Sequence, residues 1–388
     1  MPKREIPVTD VIQLAQKLVR FQSFGGQIEP VFDYLHAALS GHGFNVRLLD
    51  CTEAGPSPVL YAAAGEGKGG LLFAGHLDVA SPGTEADWKN GAFAGEIKNG
   101  SLCARGICEM KGAVAAFVGA CEQLLSAGEL RGRVGILLSG DEESSVPRGL
   151  ECGAKYLLQK GESYDCCLYG SPTNPKKLGE EIKIGSRGEI VFEITSFGAS
   201  GHPGSHSAQG NSLHNLLDLL CKIKADALDT GNEKFGPSTV QVISVETENR
   251  EDGVIPSRAS AKVNICFNTN HRMEDVVSWV QKNVIFSSGQ FELKYDLRHP
   301  GYYNYPEREI KLLQQAVEHS TGMLPHCGTA GAASSASALV QLCPVIEFGL
   351  VNALMHRVNE SAKVEDIYLL EIIYKDFIRA CLNSNGQN

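Results

Sequence analysis

Short apolar runs that end in polar turns alternate with a helical segment along the first half of the chain. The run at residues 71–74 and the segment "RVGILLSGDEES" predict strands, and "GAVAAFVGACEQLLSAG" between them predicts an apolar helix. A strand, a helix and a second strand in succession are typical of a parallel sheet. Ligands on such sheets bind at the carboxyl ends of the strands. The pattern therefore predicts an α/β fold, in which helices flank a mostly parallel sheet.

The pattern changes after the polar segment "NPKKLGEE". Apolar and polar residues then alternate in "RGEIVFEITSFGASGH", "STVQVISVET" and "ASAKVNICFN". We predict one helix over residues 211–224, after the first run, and another over residues 274–284, after the third. Such alternation is typical of half-exposed antiparallel strands. We therefore predict an inserted α+β domain over residues 182–297, and a catalytic domain formed by residues 1–181 and 298–388. The 388 residues exceed the size at which one hydrophobic core stops growing, which also favours two domains.

Net charge and hydropathy exclude several classes of partner. The formal net charge is -10, so the chain has no basic field with which to neutralise phosphates, and we expect no nucleic-acid partner. The first residues, "MPKREIPVTD", lack the apolar stretch of a secretory signal, and no window approaches the roughly 18 apolar residues of a membrane span. We expect a cytoplasmic protein without a membrane partner.

The twelve cysteines are scattered singly through apolar stretches, apart from the adjacent pair at 166 and 167. The sequence contains no C-x-x-C spacing. We therefore expect all of them to be reduced, mostly buried side chains without a metal or redox role.

Imidazole and carboxylate groups collect at the predicted strand ends. His76 and Asp78 follow the first apolar run in "GLLFAGHLDVASPG", and further groups are Glu109, the acids at 141–143 and His356. Any one of them alone is also typical of a solvated turn. Together they form the ligand set of zinc or a similar divalent ion, and carboxylates can bridge two ions. Asp78 would then accept the far N–H of His76 and fix its orientation.

Several of these segments resemble the M20 metallopeptidases and, within them, the branch of succinyl-diaminopimelate desuccinylases. The matching pieces are "FAGHLDVASPG", "ARGICEMKG", "LLSGDEES", "IKIGSRGEI", "GASGH", "VIPSRASAKVNICFN" and "CPVIEFGLVNALMHRVNE". The resemblance extends over nearly the whole chain. It implies a catalytic α/β domain that holds two zinc ions, with cobalt as an alternative, and an inserted lid domain that forms a homodimer. The implied substrate is a small N-acyl amino acid.

The resemblance also assigns a role to each matching residue. His76 resembles a ligand of the first metal, Glu109 the bridging carboxylate, and Glu143 and His356 the ligands of the second metal. Glu142 resembles the general base, and Asp78 resembles the catalytic carboxylate that orients His76.

The resemblance also assigns roles in the lid. His202 resembles the histidine that steadies the tetrahedral oxyanion in the partner subunit's site, and Arg187 and Asn211 are predicted to bind substrate. The resemblance also implies a cis peptide bond between Glu109 and Met110.

Other positions depart from the family pattern. Glu109 stands where the family has Asp, and Ser171 in "GSPT" replaces a carboxylate ligand of the first metal. A neutral hydroxyl is a poor zinc ligand, so we expect the first site to be weak. Small or neutral residues also replace substrate-binding groups of the family, at Ser186, Cys266, Gly253, Ala333, Ser334 and Ala336. These side chains cannot replace bidentate recognition by a guanidinium.

Three functions remain open on the sequence. The first is a zinc-dependent desuccinylase that produces succinate and LL-diaminopimelate, in lysine and diaminopimelate biosynthesis. The second is an active family member with another acyl-amino acid substrate, such as an acetylornithine deacetylase or a dipeptidase. The third is a catalytically impaired paralogue that is retained for dimerisation or for binding a metal or metabolite. The intact acids and histidines favour an enzyme, whereas Ser171 and the lost arginine favour impairment.

Overall fold

A computed structural model describes residues 10–49, 51, 58–144, 147–204, 210–249, 251–331 and 333–383. The chain divides into two compact units. The first comprises Met1–Ile184, Asn304–Gly328 and Ala338–Asn388, and the second comprises Gly185–Tyr303 and Thr329–Ser337. Among the described residues, no helix is both long enough and apolar enough to cross a membrane.

The domain boundaries predicted from the sequence differ from the unit boundaries at three places. The predicted changes at 181/182 and 297/298 lie three and six residues before the unit changes at 184/185 and 303/304. The segment 329–337 was predicted in the catalytic domain, but it groups with the second unit. Its contacts explain this, because the Thr329 hydroxyl donates to the Lys234 carbonyl and Arg187 donates to the Gly331 carbonyl.

The first unit contains an eight-stranded mixed sheet with the strand order β1-β2-β6-β3-β7-β16-β8-β15. Four of its seven neighbouring pairs are parallel, namely β3 with β6, β3 with β7, β7 with β16 and β8 with β15. A smaller sheet has the order β17-β5-β4. The strands are β1 (Asn45–Leu49), β2 (Val59–Ala64), β3 (Leu71–His76), β4 (Glu96–Lys98), β5 (Ser101–Cys103), β6 (Val134–Ser139), β7 (Cys166–Tyr169), β8 (Glu181–Lys183), β15 (His326–Gly328), β16 (Val345–Glu347) and β17 (Ser361–Lys363).

Helices cover this sheet, which confirms the predicted α/β class. The apolar helix of "GAVAAFVGACEQLLS" is α3, and it is buried along almost its whole length. It packs against α1 and α8, and its Phe117 ring stacks on Phe73 of β3 with the ring centroids 4.3 Å apart. The helices of this unit are α1 (Val11–Val19), α2 (Glu29–Gly41), α3 (Gly112–Ser126), α4 (Gly149–Gln159), α7 (Glu307–Thr321) and α8 (Val364–Asn383).

The second unit is the predicted α+β arrangement of two helices on a small antiparallel sheet. The sheet has the order β11-β12-β10-β13, and both β12 and β10 place alternate residues against α5 and α6. The elements are β9 (Gly185–Ser186), β10 (Gly188–Phe197), α5 (Ser212–Ala225), β11 (Thr239–Thr247), β12 (Arg258–Phe267), α6 (Met273–Ile285), β13 (Gln290–His299) and β14 (Tyr302–Tyr303).

The expectation that every cysteine is reduced is wrong for one pair. Cys51, which follows β1, forms a disulfide with Cys152 of α4, and the two Cα atoms lie 6.0 Å apart. The two residues are separated by 101 positions, so their spacing along the chain gave no indication of the bond. The other ten cysteines are free thiols, and six of these are buried.

Candidate metal centre and active site

Three of the four predicted metal ligands converge in the first unit. Glu109, Glu143 and His356 each offer one ligand atom, and these atoms all lie within 4.8 Å of one another. The Nε2 of His356 lies 2.8 Å from Glu109 Oε2 and 2.8 Å from Glu143 Oε1. The peptide bond after Glu109 is cis, which confirms the bond that the resemblance implied.

The donor set of this cluster fits a divalent cation. A single imidazole nitrogen faces two carboxylate oxygens, but one N–H donates well to only one of them, and the buried Glu109 Oε2 is left without a hydrogen bond. The carboxylates of Glu109 and Glu143, each 2.8 Å from Nε2, raise the pKa of His356 to about 10. One nitrogen and two carboxylate oxygens around a common point are zinc-type ligands. A cation at that point would satisfy all three groups at once.

A buried ion pair joins the two backbone segments that carry Glu109 and His356. Arg105 Nη1 lies 2.7 Å from Glu360 Oε2, and Arg105 Nη2 donates to the His356 carbonyl over 3.2 Å. The other oxygen of Glu360 accepts from the backbone N–H groups of Gly106 and Cys108, just before Glu109. The sequence analysis missed Arg105 and Glu360. Their signal was a charged residue beside each ligand motif, in "ARGICEMKG" and "HRVNE".

His76 is placed at the carboxyl end of β3 and is 1% exposed. Its Nδ1 lies 3.0 Å from the backbone oxygen of Asp78 and 3.4 Å from Asp78 Oδ1. Burial alone would lower the pKa of His76, but Asp78, with smaller contributions from Glu142 and Glu109, raises it to about 10. The cluster of three ligands found among the described residues does not include His76. The charge of Glu109 nevertheless acts on the imidazole.

Asp78 connects His76 to the acidic turn after β6. Its Oδ2 accepts a hydrogen bond of 2.7 Å from the backbone N–H of Glu143. The three acids of this turn have different surroundings. Asp141 is 7% exposed and accepts from the backbone of Arg148 and Gly149, so it holds the start of α4. Glu142 is half-buried beside Glu143 of the cluster, and its charge acts on His76.

Ser171 follows β7, the strand that pairs in parallel with β3. It therefore lies at the same edge of the sheet as His76. The backbone at Gly349 packs closely against Ser171, because a Cβ on Gly349 would lie 2.6 Å from the Ser171 carbonyl oxygen. Only glycine at position 349 allows this approach.

The predicted site residues of the second unit contact backbone groups of their own unit. Arg187 donates to the carbonyl oxygens of Pro237 and Gly331 over 3.3 and 3.4 Å. His202 is exposed, and its Nδ1 accepts from the backbone N–H of Gly204 over 3.1 Å. Asn211 is the N-cap of α5, because its Oδ1 accepts from the backbone N–H groups of Leu213 and His214.

Comparison with known proteins shows the family to which the chain is similar. The family model described as "Peptidase family M20/M25/M40" matches residues 72–380. A succinyl-diaminopimelate desuccinylase of Gluconacetobacter diazotrophicus is 37% identical over 373 residues, which cover 95% of this chain and 96% of that protein. A desuccinylase of Ehrlichia canis is 35% identical over 379 residues, which cover 96% and 99% of the two chains.

The fold is also that of solved structures of the same family. The M20 family metallo-carboxypeptidase Sso-CP2 of Sulfolobus solfataricus superimposes with a TM-score of 0.80 at 18% identity, and the match covers 97% of this chain and all of the other. At that identity the similarity shows the fold alone. The cluster of Glu109, Glu143 and His356 lies inside the segment that the family model matches.

Proposed function

The chain belongs to peptidase family M20/M25/M40 and is a metal-dependent hydrolase, and we propose that it removes the succinyl group from N-succinyl-LL-diaminopimelate. The products are succinate and LL-diaminopimelate. The observation that carries this proposal is the convergence of Glu109, Glu143 and His356, with Glu142 next to Glu143 in the chain. The desuccinylases that cover nearly the whole chain support the choice of substrate.

We propose zinc as the metal, with cobalt as the alternative. Glu109, Glu143 and His356 would hold one ion, and His76 with a shared Glu109 would hold a second ion less tightly. When bound, the metal polarises the amide carbonyl as a Lewis acid. The residues of the chain transfer the protons, orient the metal ligands and bind the substrate.

Glu142 acts as the general base and acid in this proposal. Its carboxylate takes a proton from the attacking water, whose oxygen bonds to the amide carbon, and it returns that proton to the leaving nitrogen as the C–N bond breaks. Asp78 keeps the His76 ring in one orientation through contacts at Nδ1, which leaves Nε2 directed away from Asp78. In the second unit, Arg187 binds a substrate carboxylate with Asn211, and His202 stabilises the oxyanion in the active site of the other subunit.

The role of His202 requires a homodimer, and we propose that the dimer forms through the second unit. Strand β11 is an edge of the four-stranded sheet, and it exposes the apolar side chains of Val242, Ile243 and Val245. A long exposed apolar edge strand is a site for pairing with another chain. Sedimentation should report a dimer, and Ile243→Lys should shift it toward the monomer with loss of activity. A fully active monomer would contradict the proposed role of His202.

A second candidate is hydrolysis of a different N-acyl amino acid. The observation that favours it is that two residues near Arg187, Ser186 and Cys266, are neutral. Ser186 is fully buried and its hydroxyl donates to the Arg187 carbonyl, while the thiol of Cys266 donates to Asn264. These two side chains offer no charge to a second carboxylate.

One experiment separates these functions. The purified protein is equilibrated with excess zinc, its metal content per chain is measured, and hydrolysis of N-succinyl-LL-diaminopimelate, N-acetylornithine and a dipeptide is assayed in parallel. Preferred turnover of the succinyl substrate supports the proposal, and preferred turnover of another supports the second candidate. If the protein binds metal but hydrolyses none of the three substrates, the result supports a catalytically impaired paralogue.

A further inference from the structure

The carboxylate of Asp229 in the second unit organises the loop between α5 and β11. Asp229 Oδ1 accepts from the backbone N–H of Gly231 over 2.7 Å, from that of Ser238 over 3.2 Å, and from Asn268 Nδ2 over 2.6 Å. Its Oδ2 lies 3.1 Å from His271 Nε2. Burial alone would raise the pKa of Asp229, but its hydrogen-bond donors lower it. The carboxylate is therefore an ionised acceptor at the centre of four donors.

Asn268 extends this arrangement to the far side of the loop. The side chain is fully buried, and its Nδ2 also donates to the carbonyl of Gly236 over 3.2 Å. Its backbone N–H donates to the hydroxyl of Ser238 over 3.0 Å. Asp229 and Asn268 thus hold Gly236 and Ser238, the residues on either side of Pro237.

The carbonyl of Pro237 is an acceptor of Arg187. Arg187 Nη1 donates to Pro237, and Nη2 donates to Gly331. The segment that carries Gly331 is fastened to the same loop, because the Thr329 hydroxyl donates to the Lys234 carbonyl. Both acceptors of the guanidinium therefore depend on the loop that Asp229 organises.

We propose that Asp229 is a positioning residue that orients the Arg187 guanidinium for binding of a substrate carboxylate. The inference rests on the proposed function, in which Arg187 binds that carboxylate. An arginine side chain has many rotamers, and a bidentate contact requires one orientation of its planar group. One carbonyl on each terminal nitrogen fixes that plane before substrate arrives. Without Asp229 the loop would lose its hydrogen bonds, and the Arg187 side chain would be ordered only when substrate binds. The free energy of that ordering would weaken substrate binding.

The central test is a double-mutant cycle between Asp229 and Arg187. Asp229→Ala should raise KM by about tenfold, the loss expected when one hydrogen bond to a charged group is weakened, with kcat within about twofold. In the Arg187→Ala background the same substitution should leave KM unchanged, because its effect passes through the guanidinium. Asp229→Asn keeps an oxygen for three of the donors and should restore most of the binding. Effects on KM that multiply in the double variant, or an equal fall in kcat, would overturn the proposal.

Two further variants separate positioning from general destabilisation of the unit. Asp226→Ala removes a nearby carboxylate that accepts from Trp279 Nε1, outside the Asp229 network, and it should leave KM unchanged. If Asp229→Ala does not fold, Thr329→Val removes only the hydroxyl that fastens the Gly331 segment. It should raise KM by about threefold and, again, not in the Arg187→Ala background. A Thr329→Val variant with the parent KM, or a matching rise in Asp226→Ala, would contradict the proposal.

A measurement without turnover distinguishes failure of this inference from failure of the proposed function. If the parent protein hydrolyses no succinyl substrate, the proposed function fails, but the position of Arg187 can still be observed by the ¹⁵Nε–Hε NMR signal of its side chain. We expect a resolved signal in the parent and in Asp226→Ala, and a signal collapsed to the free-arginine position in Asp229→Ala. The same resolved signal in all three would show that Asp229 does not order Arg187.

Discussion

The predicted site residues of the two units differ in what they contact. In the first unit, His356 contacts Glu109 and Glu143 directly, and Asp78 joins His76 to the Glu143 backbone. The second-unit residues Arg187, His202 and Asn211 instead contact nearby backbone groups of their own unit. The first unit therefore assembles a candidate metal centre. The side chains of the second unit are held by hydrogen bonds to their own loops. Their proposed roles require a substrate or a second subunit.

The strongest test of the assembled centre uses the neighbours Glu142 and Glu143. Glu142→Gln should lower kcat by about 10²–10⁴-fold, because the amide cannot accept the proton of water, while the zinc content stays as in the parent. Glu143→Gln should instead reduce the zinc bound per chain, because a neutral amide replaces a charged ligand. Steady-state kinetics and elemental analysis check both. If Glu142→Gln lost zinc and Glu143→Gln kept it, the two assignments would be reversed.

Ser171 tests whether the centre is complete. Ser171→Glu should raise the zinc bound from about one ion per chain toward two, and strengthen binding at the first site by more than the 10–100-fold typical of changes behind a ligand. The matched control Ser171→Gln has nearly the same shape without the charge, and it should stay near one ion. Tight binding of two zinc ions by the unmodified protein would show that Ser171 does not weaken the first site.

Asp78 tests the connection between His76 and the acidic turn. Asp78→Asn keeps an oxygen for the Glu143 backbone but removes the negative charge beside His76, so metal affinity should fall by about 10–100-fold. Competition with a chelator measures this change. The control Asp141→Asn alters a carboxylate that holds α4, so it should lower the free energy of unfolding and leave metal affinity within about threefold. An equal loss of affinity in both variants would assign the effect to the turn as a whole.

The sequence predicted much of the first unit because strand ends and ligands coincide there. The carboxyl ends of β3, β6 and β7 bear His76, the acidic turn and Ser171, and the parallel pairing of these strands brings the ends to one edge. The Arg105–Glu360 pair was not predicted, because its two residues are 255 positions apart and nothing in the sequence shows that they meet. The Cys51–Cys152 disulfide was also not predicted, because its two residues are 101 positions apart. Pairing between distant positions depends on tertiary packing, which local periodicity does not record.

The second unit shows a different limit of sequence analysis. The helix predicted over residues 211–224 is confirmed as α5, and the strands on either side also agree. The network around Asp229 was not predicted, because Asp, Asn and Ser between a helix and a strand are typical of an ordinary loop. Only the contacts show that these residues converge on one carboxylate and that the loop reaches Arg187.

The smallest effect concerns Asn211, which has a structural role in addition to its predicted one. Because its Oδ1 caps α5, Asn211→Ala should lower the free energy of unfolding by about 1 kcal/mol, as measured by urea denaturation. Asn211→Asp keeps the capping oxygen and adds a negative charge. Negative charge is favourable at a helix N-terminus, so this variant should retain the free energy of unfolding of the parent. A substrate role predicts that Asn211→Asp nevertheless raises KM, because the added charge repels a carboxylate. If both stability and KM of Asn211→Asp match the parent, Asn211 is a helix cap alone, and Arg187 is left as the one residue of the second unit predicted to bind substrate.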